Sequence, residues 1–229
     1  MAQDLHIQSP LIESVPLSEK TGATVWLKIE AMQPSGSFKL RGIGRACSYH
    51  VKQGAKALIS SSGGNAGIAV AYSGRKLSIP VTVVVPQSTP QCSIDIIRQE
   101  QAEVIVHGES WQEAHEYALS LTSPDRVCIH PFDDPLLWDG HATLIDEVAA
   151  AGLKPDAVVL SVGGGGLLCG VLEGLYRNDM NDVPILAVET EGAASLGSSL
   201  AAGSHIELER ITTIATSLGA KKVAKKAYE

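Results

Sequence analysis

Five consecutive residues, Val81-Thr82-Val83-Val84-Val85, are all β-branched, and Pro86 closes the run. A strand with no polar side must be covered on both faces, as happens inside a parallel sheet. Parallel neighbours cannot be joined by hairpins and need long crossovers, usually helical. The rest of the chain supplies them. Thr24–Glu30, Ala57–Ser60, Glu103–His107, Val127–Ile129, Ala157–Val162 and Pro184–Glu189 read as further strands. Between them, Lys39–Gln53, Asn65–Lys76, Ile94–Glu100, Trp111–Thr122, Asp139–Ala151 and Leu167–Tyr176 have helical spacing. The pattern predicts an α/β fold with two doubly wound parallel-sheet lobes. Residues 39–133 carry a strand–helix series of their own and form the expected small lobe. Residues 1–38 and 134–229 together form the expected large lobe.

Composition removes several classes of function. With 18 basic and 25 acidic residues the net charge is −7, which argues against nucleic-acid binding. No basic segment followed by an apolar stretch opens the chain, and its apolar runs are strand-sized, so neither a signal peptide nor a membrane span is expected. Cys47, Cys92, Cys128 and Cys169 lie far apart with no C-x-x-C pair, which suits free thiols in a cytoplasmic protein. The seven histidines show no zinc-ligand spacing.

Two glycine-rich turns each follow a predicted strand and precede a predicted helix: Ser61-Ser62-Gly63-Gly64-Asn65-Ala66-Gly67 and Ser161-Val162-Gly163-Gly164-Gly165-Gly166-Leu167-Leu168. Helix starts carry unpaired N–H groups and partial positive charge, and glycine lets an anion approach the backbone. One such turn is as readily a plain tight turn. Two at the carboxyl ends of strands favour a ligand with anionic groups. The second turn fails G-x-G-x-x-G. A looser spacing, Gly164, Gly166 and Gly170 with Glu189 one strand later, leaves a nucleotide-binding reading open. Walker A and G-x-S-x-G are absent.

Lys39 sits at a loop-to-helix junction between Phe38 and Leu40. By default a lysine is a solvated charge. Partial burial here would lower its pKa and free the amine as a nucleophile or base. The cluster Lys221, Lys222, Lys225 and Lys226 reads as a solvated helix face.

The segments P-S-G-S-F-K-L-R-G at 34–42, S-S-G-G-N-A-G at 61–67 and S-V-G-G-G-G-L-L at 161–168 resemble the serine/threonine dehydratases. So do P-F-D-D-P-L-L-W-D-G-H at 131–141 and I-A-T-S-L-G-A-K at 214–221. These are pyridoxal-phosphate enzymes of the tryptophan-synthase β-like fold (fold type II). The likeness runs from about Pro10 to Ala227 and is greatest to the animal-type serine dehydratases and serine dehydratase-like proteins.

The resemblance implies pyridoxal 5′-phosphate as cofactor and Lys39 as the Schiff-base lysine and general base. It implies that Asn65 bonds the cofactor's O3′, that Phe38 and Ser217 cover the two ring faces, and that Gly163, Gly164, Gly165, Gly166 and Leu167 cradle the phosphate. Ser62, Gly63, Asn65 and Ala66 would hold the substrate carboxylate. Glu189, Ser195 and the carbonyls of Gly163, Ala193, Leu218 and Ala220 match a monovalent-cation site, usually potassium. The implied activity is deaminating dehydration of L-serine to pyruvate and of L-threonine to 2-oxobutanoate, with a homodimer as the assembly. Family members continue beyond position 229, so the large lobe is expected to be incomplete and to lack the Ser or Cys that faces the pyridine nitrogen. Rival readings are a threonine synthase- or cysteine synthase-like enzyme, a truncated non-catalytic form, and a nucleotide-binding module.

Overall fold

The computed structural model describes residues 4–229. Strand β1 (Leu11–Glu13), helix α1 (Val15–Thr21) and strand β2 (Trp26–Lys28) come first, and β1 and β2 pair antiparallel with Ile12 opposite Leu27. Then follow α2 (Lys39–Lys52), β3 (Ala57–Ser60), α3 (Asn65–Leu77), β4 (Val81–Val85), α4 (Gln91–Gln99), β5 (Glu103–Val106), α5 (Trp111–Ser120) and β6 (Arg126–Cys128). Their strands form one parallel sheet in the order β5-β4-β3-β6. The chain continues through α6 (Pro135–Ala150), β7 (Val158–Ser161), α7 (Gly166–Arg177), β8 (Ile185–Val188), α8 (Ser195–Ala202) and α9 (Lys225–Tyr228), with β7 and β8 parallel.

The β4 run is buried along its whole length, as its lack of a polar face requires. Val81, Val83 and Val85 meet Ala69, Val70, Ile94 and Ile97 of α3 and α4 on one side. Val84, with Ile59 of β3, meets Ala114 and Ala118 of α5 on the other. Period-two alternation therefore sorts the side chains of this sheet between two helical layers.

α6 lies between the helix that starts at Lys39 and the helix that leaves the tetraglycine turn, and glycines set both contacts. A Cβ on Gly140 would come within 2.5 Å of the Arg41 carbonyl, and one on Gly42 would strike the Leu137 carbonyl and His141. A Cβ on Gly170 of α7 would collide with the Cβ of His141. α2, α6 and α7 are thus packed backbone against backbone, and the positions of their N-termini are fixed relative to one another.

Next to this contact, fully buried Arg41 bonds Glu30 through Nε at 2.7 Å and Glu147 through a terminal nitrogen at 2.6 Å. Lys28 also pairs with Glu147, and the Ser9 hydroxyl joins the cluster through Arg41 and Lys28. Two cations and two carboxylates neutralise one another and tie β2 and the turn after it to α2 and α6.

Several elements differ from the sequence expectation. The strand expected over Thr24–Glu30 spans Trp26–Lys28, because Glu30 turns inward to Arg41. The helix expected from Asp139 starts at Pro135, with the Asp134 carboxylate accepting from the Leu136 amide at 2.8 Å. β1, α1 and α8 are additional. On β7–β8, Leu160 packs against Leu168, Val171 and Leu175, while Val159, Leu186 and Val188 on the other face are 67%, 52% and 52% exposed.

Candidate active site

Lys39 is the first residue of α2, and its side chain runs inward to the backbone at Pro131. Its amine donates to the Pro131 carbonyl at 2.6 Å and lies 5.4 Å from the centroid of the Phe38 ring. Burial pushes its pKa down to about 8. About a tenth of the amine is then neutral at pH 7, far more than for an ordinary lysine, and that fraction can act as a base or nucleophile. The Phe38 ring rests edge-on against His141, 5.0 Å between centroids. His141 is buried on α6 and accepts from the Gly42 amide through Nδ1 at 3.2 Å, and burial holds its pKa well below the ordinary value.

The tetraglycine turn lies one residue away from this amine's partner. Pro131 receives Lys39, and the ring of the next residue, Phe132, fills the space that a side chain on Gly164 would need. The Phe132 carbonyl stands 2.7 Å from where a Cβ on Gly166 would be, and it accepts from the Trp138 indole at 2.9 Å. The segment 131–132 thus joins Lys39 to the turn, since adjacent Cα atoms are only about 3.8 Å apart. Gly165 has φ +85°, which glycine adopts without strain, and Val223 and Ala227 back it from behind. Among the described residues the amides of 163–167 have no hydrogen-bond acceptor in the protein, while the Gly164 carbonyl accepts from Ala224. Successive free amides at the start of α7 form a concave anion seat.

The second turn ends β3 and opens α3 at Asn65. The amides of Gly63, Asn65 and Ala66 have no acceptor among the described residues. The Ser62 hydroxyl accepts from the Gly64 amide at 3.4 Å, and the Ser62 carbonyl abuts Gly67 so closely that any side chain there would collide. Asn65 is exposed, so its amide side chain is free to meet a ligand.

The residues expected around a cation fall into two adjoining sets. Gly163 packs on the Leu218 backbone, and the Ala220 amide donates to the Leu218 carbonyl at 3.0 Å. Ser195 and Ala193 are buried, and the Ser195 hydroxyl has no partner among the described residues. Both Glu189 oxygens accept from α8 amides, Leu196 at 2.8 Å and Gly197 at 2.6 Å. Glu189 therefore caps a helix, and the Gly170 of the looser nucleotide spacing serves helix packing against His141. Ser217 is exposed in the 3-10 turn next to Leu218. Lys221, Lys222, Lys225 and Lys226 are exposed.

Sequence reasoning missed the carbonyl of Pro131, the Phe132 ring, His141 beneath Phe38, and the bond of 2.9 Å between Ser61 and His115. Pro131, Phe132 and His141 lie within a quoted motif, but nothing in their spacing says which group faces Lys39.

The residues fit pyridoxal phosphate: a buried amine of lowered pKa, an aromatic ring beside it, and a seat of free amides that tolerates no side chain. The sequence profile of the pyridoxal-phosphate dependent enzymes matches residues 2–229. The L-serine dehydratase/L-threonine deaminase of Mus musculus is 47% identical over 224 residues, covering 96% of this chain and 68% of its own. The serine dehydratase-like protein of Homo sapiens is 48% identical over 229 residues, covering 99% of this chain and 70% of its own. The crystal structure of a fungal L-serine ammonia-lyase from Rhizomucor miehei superposes with a TM-score of 0.93 at 37% identity, covering 99% of this chain and 73% of that one. The fold, the anion seats and these likenesses converge: the chain belongs to the family of pyridoxal-phosphate dependent enzymes.

Proposed function

We propose that the chain catalyses the deaminating dehydration of L-serine to pyruvate and ammonia, and of L-threonine to 2-oxobutanoate and ammonia. The observation that carries the reading is the Lys39 amine, buried and held by Pro131, one residue from the ring that packs on the tetraglycine turn. Similarity to proteins named L-serine dehydratase/L-threonine deaminase supplies the substrate class.

Pyridoxal phosphate, when bound, supplies an electron sink for charge developing at the substrate α-carbon. Lys39 would hold it covalently until the substrate's amino group took its place there and released the lysine amine, and the phosphate would rest on the amides of Gly163, Gly164, Gly165, Gly166 and Leu167. Phe38 and Ser217 would flank the ring, and the Asn65 side chain would bond its hydroxyl oxygen. The amides of Gly63, Asn65 and Ala66 and the Ser62 hydroxyl would fix the substrate carboxylate, which orients the α-hydrogen toward Lys39. The neutral amine takes that proton at Nζ, and the Pro131 carbonyl gives it a return position. Loss of the β-hydroxyl as water leaves an enamine, which takes up water and loses ammonia to give the 2-oxo acid.

The same reading places a monovalent cation, potassium, among Gly163, Glu189, Ala193, Ser195, Leu218 and Ala220, where the unpartnered Ser195 hydroxyl supports it. It assigns residues 39–133 to a small lobe, and 1–38 with 134–229 to a large one. The four-stranded sheet and the β7–β8 sheet fall within these ranges. It also carries a cytoplasmic homodimer.

The test is product formation. With pyridoxal phosphate added, the protein should convert L-serine to pyruvate and L-threonine to 2-oxobutanoate, and Lys39→Ala should form neither. A folded, cofactor-loaded protein that releases no 2-oxo acid contradicts the reading.

A further inference from the structure

Ser61 and His115 take no part in the chemistry above, yet they meet at the base of the turn assigned to the substrate carboxylate. Ser61 follows β3 directly and has the parity of Ile59, so its side chain points to the α5 face of the sheet. There its hydroxyl, on a residue only 1% exposed, bonds His115 Nδ1 at 2.9 Å. His115 is held on its own side by stacking on Trp111, 4.7 Å between centroids and 11° between planes. Its edge meets the His130 ring at 6.2 Å, and His130 in turn rests against Phe132 at 4.8 Å. His130 Nδ1 accepts from the Phe132 and Asp133 amides at 3.2 and 2.7 Å, and that same stretch contains the Pro131 carbonyl that receives Lys39. Burial lowers the pKa of both imidazoles. A line of packed rings therefore runs from the carboxylate turn to the lysine's partner.

We infer that His115 is a positioning residue that acts through the Ser61 hydroxyl to hold the Gly63, Asn65 and Ala66 amides in the geometry that receives the substrate's α-carboxylate. A buried hydroxyl without a partner is costly, so without the imidazole the Ser61 side chain would turn elsewhere and carry its backbone with it. Ser62, the next residue, bears both the carbonyl wedged against Gly67 and the hydroxyl that receives Gly64. A small rotation at 61 is thus passed to every amide of the turn. Through His130 the same ring line limits how far the 131–132 segment can shift relative to the turn.

The inference rests on the carboxylate site proposed above, and the experiment separates the two. Amide resonances of Gly63, Asn65 and Ala66 are followed by NMR while L-alanine, which has the same α-carboxylate but no β-hydroxyl to lose, is titrated with and without pyridoxal phosphate. In the unsubstituted protein these amides should shift and saturate. His115→Phe keeps the stacking on Trp111 but removes the hydrogen bond, and should weaken the apparent affinity about tenfold. His115→Asn, which can present a polar atom where Nδ1 stood, should recover most of the loss. Ser61→Ala should match His115→Phe, and the double variant should be no worse than either. In turnover the loss should fall on KM, with kcat changed less than twofold and the affinity for pyridoxal phosphate retained. Amides that shift with equal affinity in the unsubstituted protein and His115→Phe would overturn the inference and leave the carboxylate site standing. Equal losses in His115→Phe and His115→Asn would reduce His115 to a packing residue and overturn it too. Amides that never shift in the unsubstituted protein would remove the carboxylate site, and the inference with it.

Discussion

At residue scale, Lys39 is a cation placed where charge is costly. In the cofactor-free protein its pKa falls from 10.5 to about 8 through burial alone. Between those values the unfolded chain binds more protons than the folded one, so this residue makes stability rise with pH. Below about pH 8 the amine is charged in both states and the penalty is fully present, and above 10.5 it vanishes. Urea unfolding at pH 7 and 10.5 should therefore show a gain in the parent protein that Lys39→Met lacks, at most about 2–3 kcal/mol. A Lys39→Met variant with the same pH dependence would mean that the amine is solvated. Cys47 makes a useful contrast: burial pushes its thiol up to about 12, which leaves it an inert part of the core.

At the scale of elements, the site is held by what surrounds α2. Burial alone would raise the Glu147 pKa, but hydrogen bonds from Arg41 and Lys28 hold it below the usual carboxylate range. Replacing it leaves buried Arg41 with Glu30 as its one carboxylate partner among the described residues, so Glu147→Ala should cost about 3–5 kcal/mol in urea unfolding. A loss below about 1 kcal/mol would show the cluster to be solvated. The glycine contacts give a sharper test. Gly140→Ala would drive a methyl group into the Arg41 backbone and part α2 from α6. It should cost about 1–3 kcal/mol and, because Lys39 moves with α2, weaken pyridoxal-phosphate binding as well. Unchanged stability and cofactor affinity would mean that the helices separate without consequence.

At the scale of the molecule, β7–β8 leaves Val159, Leu186 and Val188 open on one face. Contiguous apolar surface of this kind promotes association. Val159→Lys with Leu186→Lys should lower binding of a hydrophobic dye and concentration-dependent association, read by light scattering. No change in either would mean that this face is not the sticky one. The sheet is also where reading the sequence worked best. β4 and β3 match their expected bounds because β-branched runs and flanking turn residues act locally. β1 and α1 escaped notice because the strand is three residues long and no residue of the helix is buried, so neither shows an apolar stripe. In the candidate site, Lys39 and the glycines of the two turns stand out by their own chemistry, whereas roles for Phe38, Asn65 and Ser217 come only from the family resemblance. The groups that meet them from distant parts of the chain were not legible. The Pro131 carbonyl is a backbone group, Phe132 looks like any core aromatic, and His115 meets Ser61 over 54 positions of sequence. Only the fold brings such partners together.

The chemistry turns on one amine. The most direct measurement is to mix the protein with pyridoxal phosphate, reduce it with borohydride, digest it and locate the phosphopyridoxyl group by mass spectrometry. A single label is expected on the peptide containing Lys39, lost in Lys39→Ala. A label on another lysine, or none on a folded protein, would contradict that chemistry.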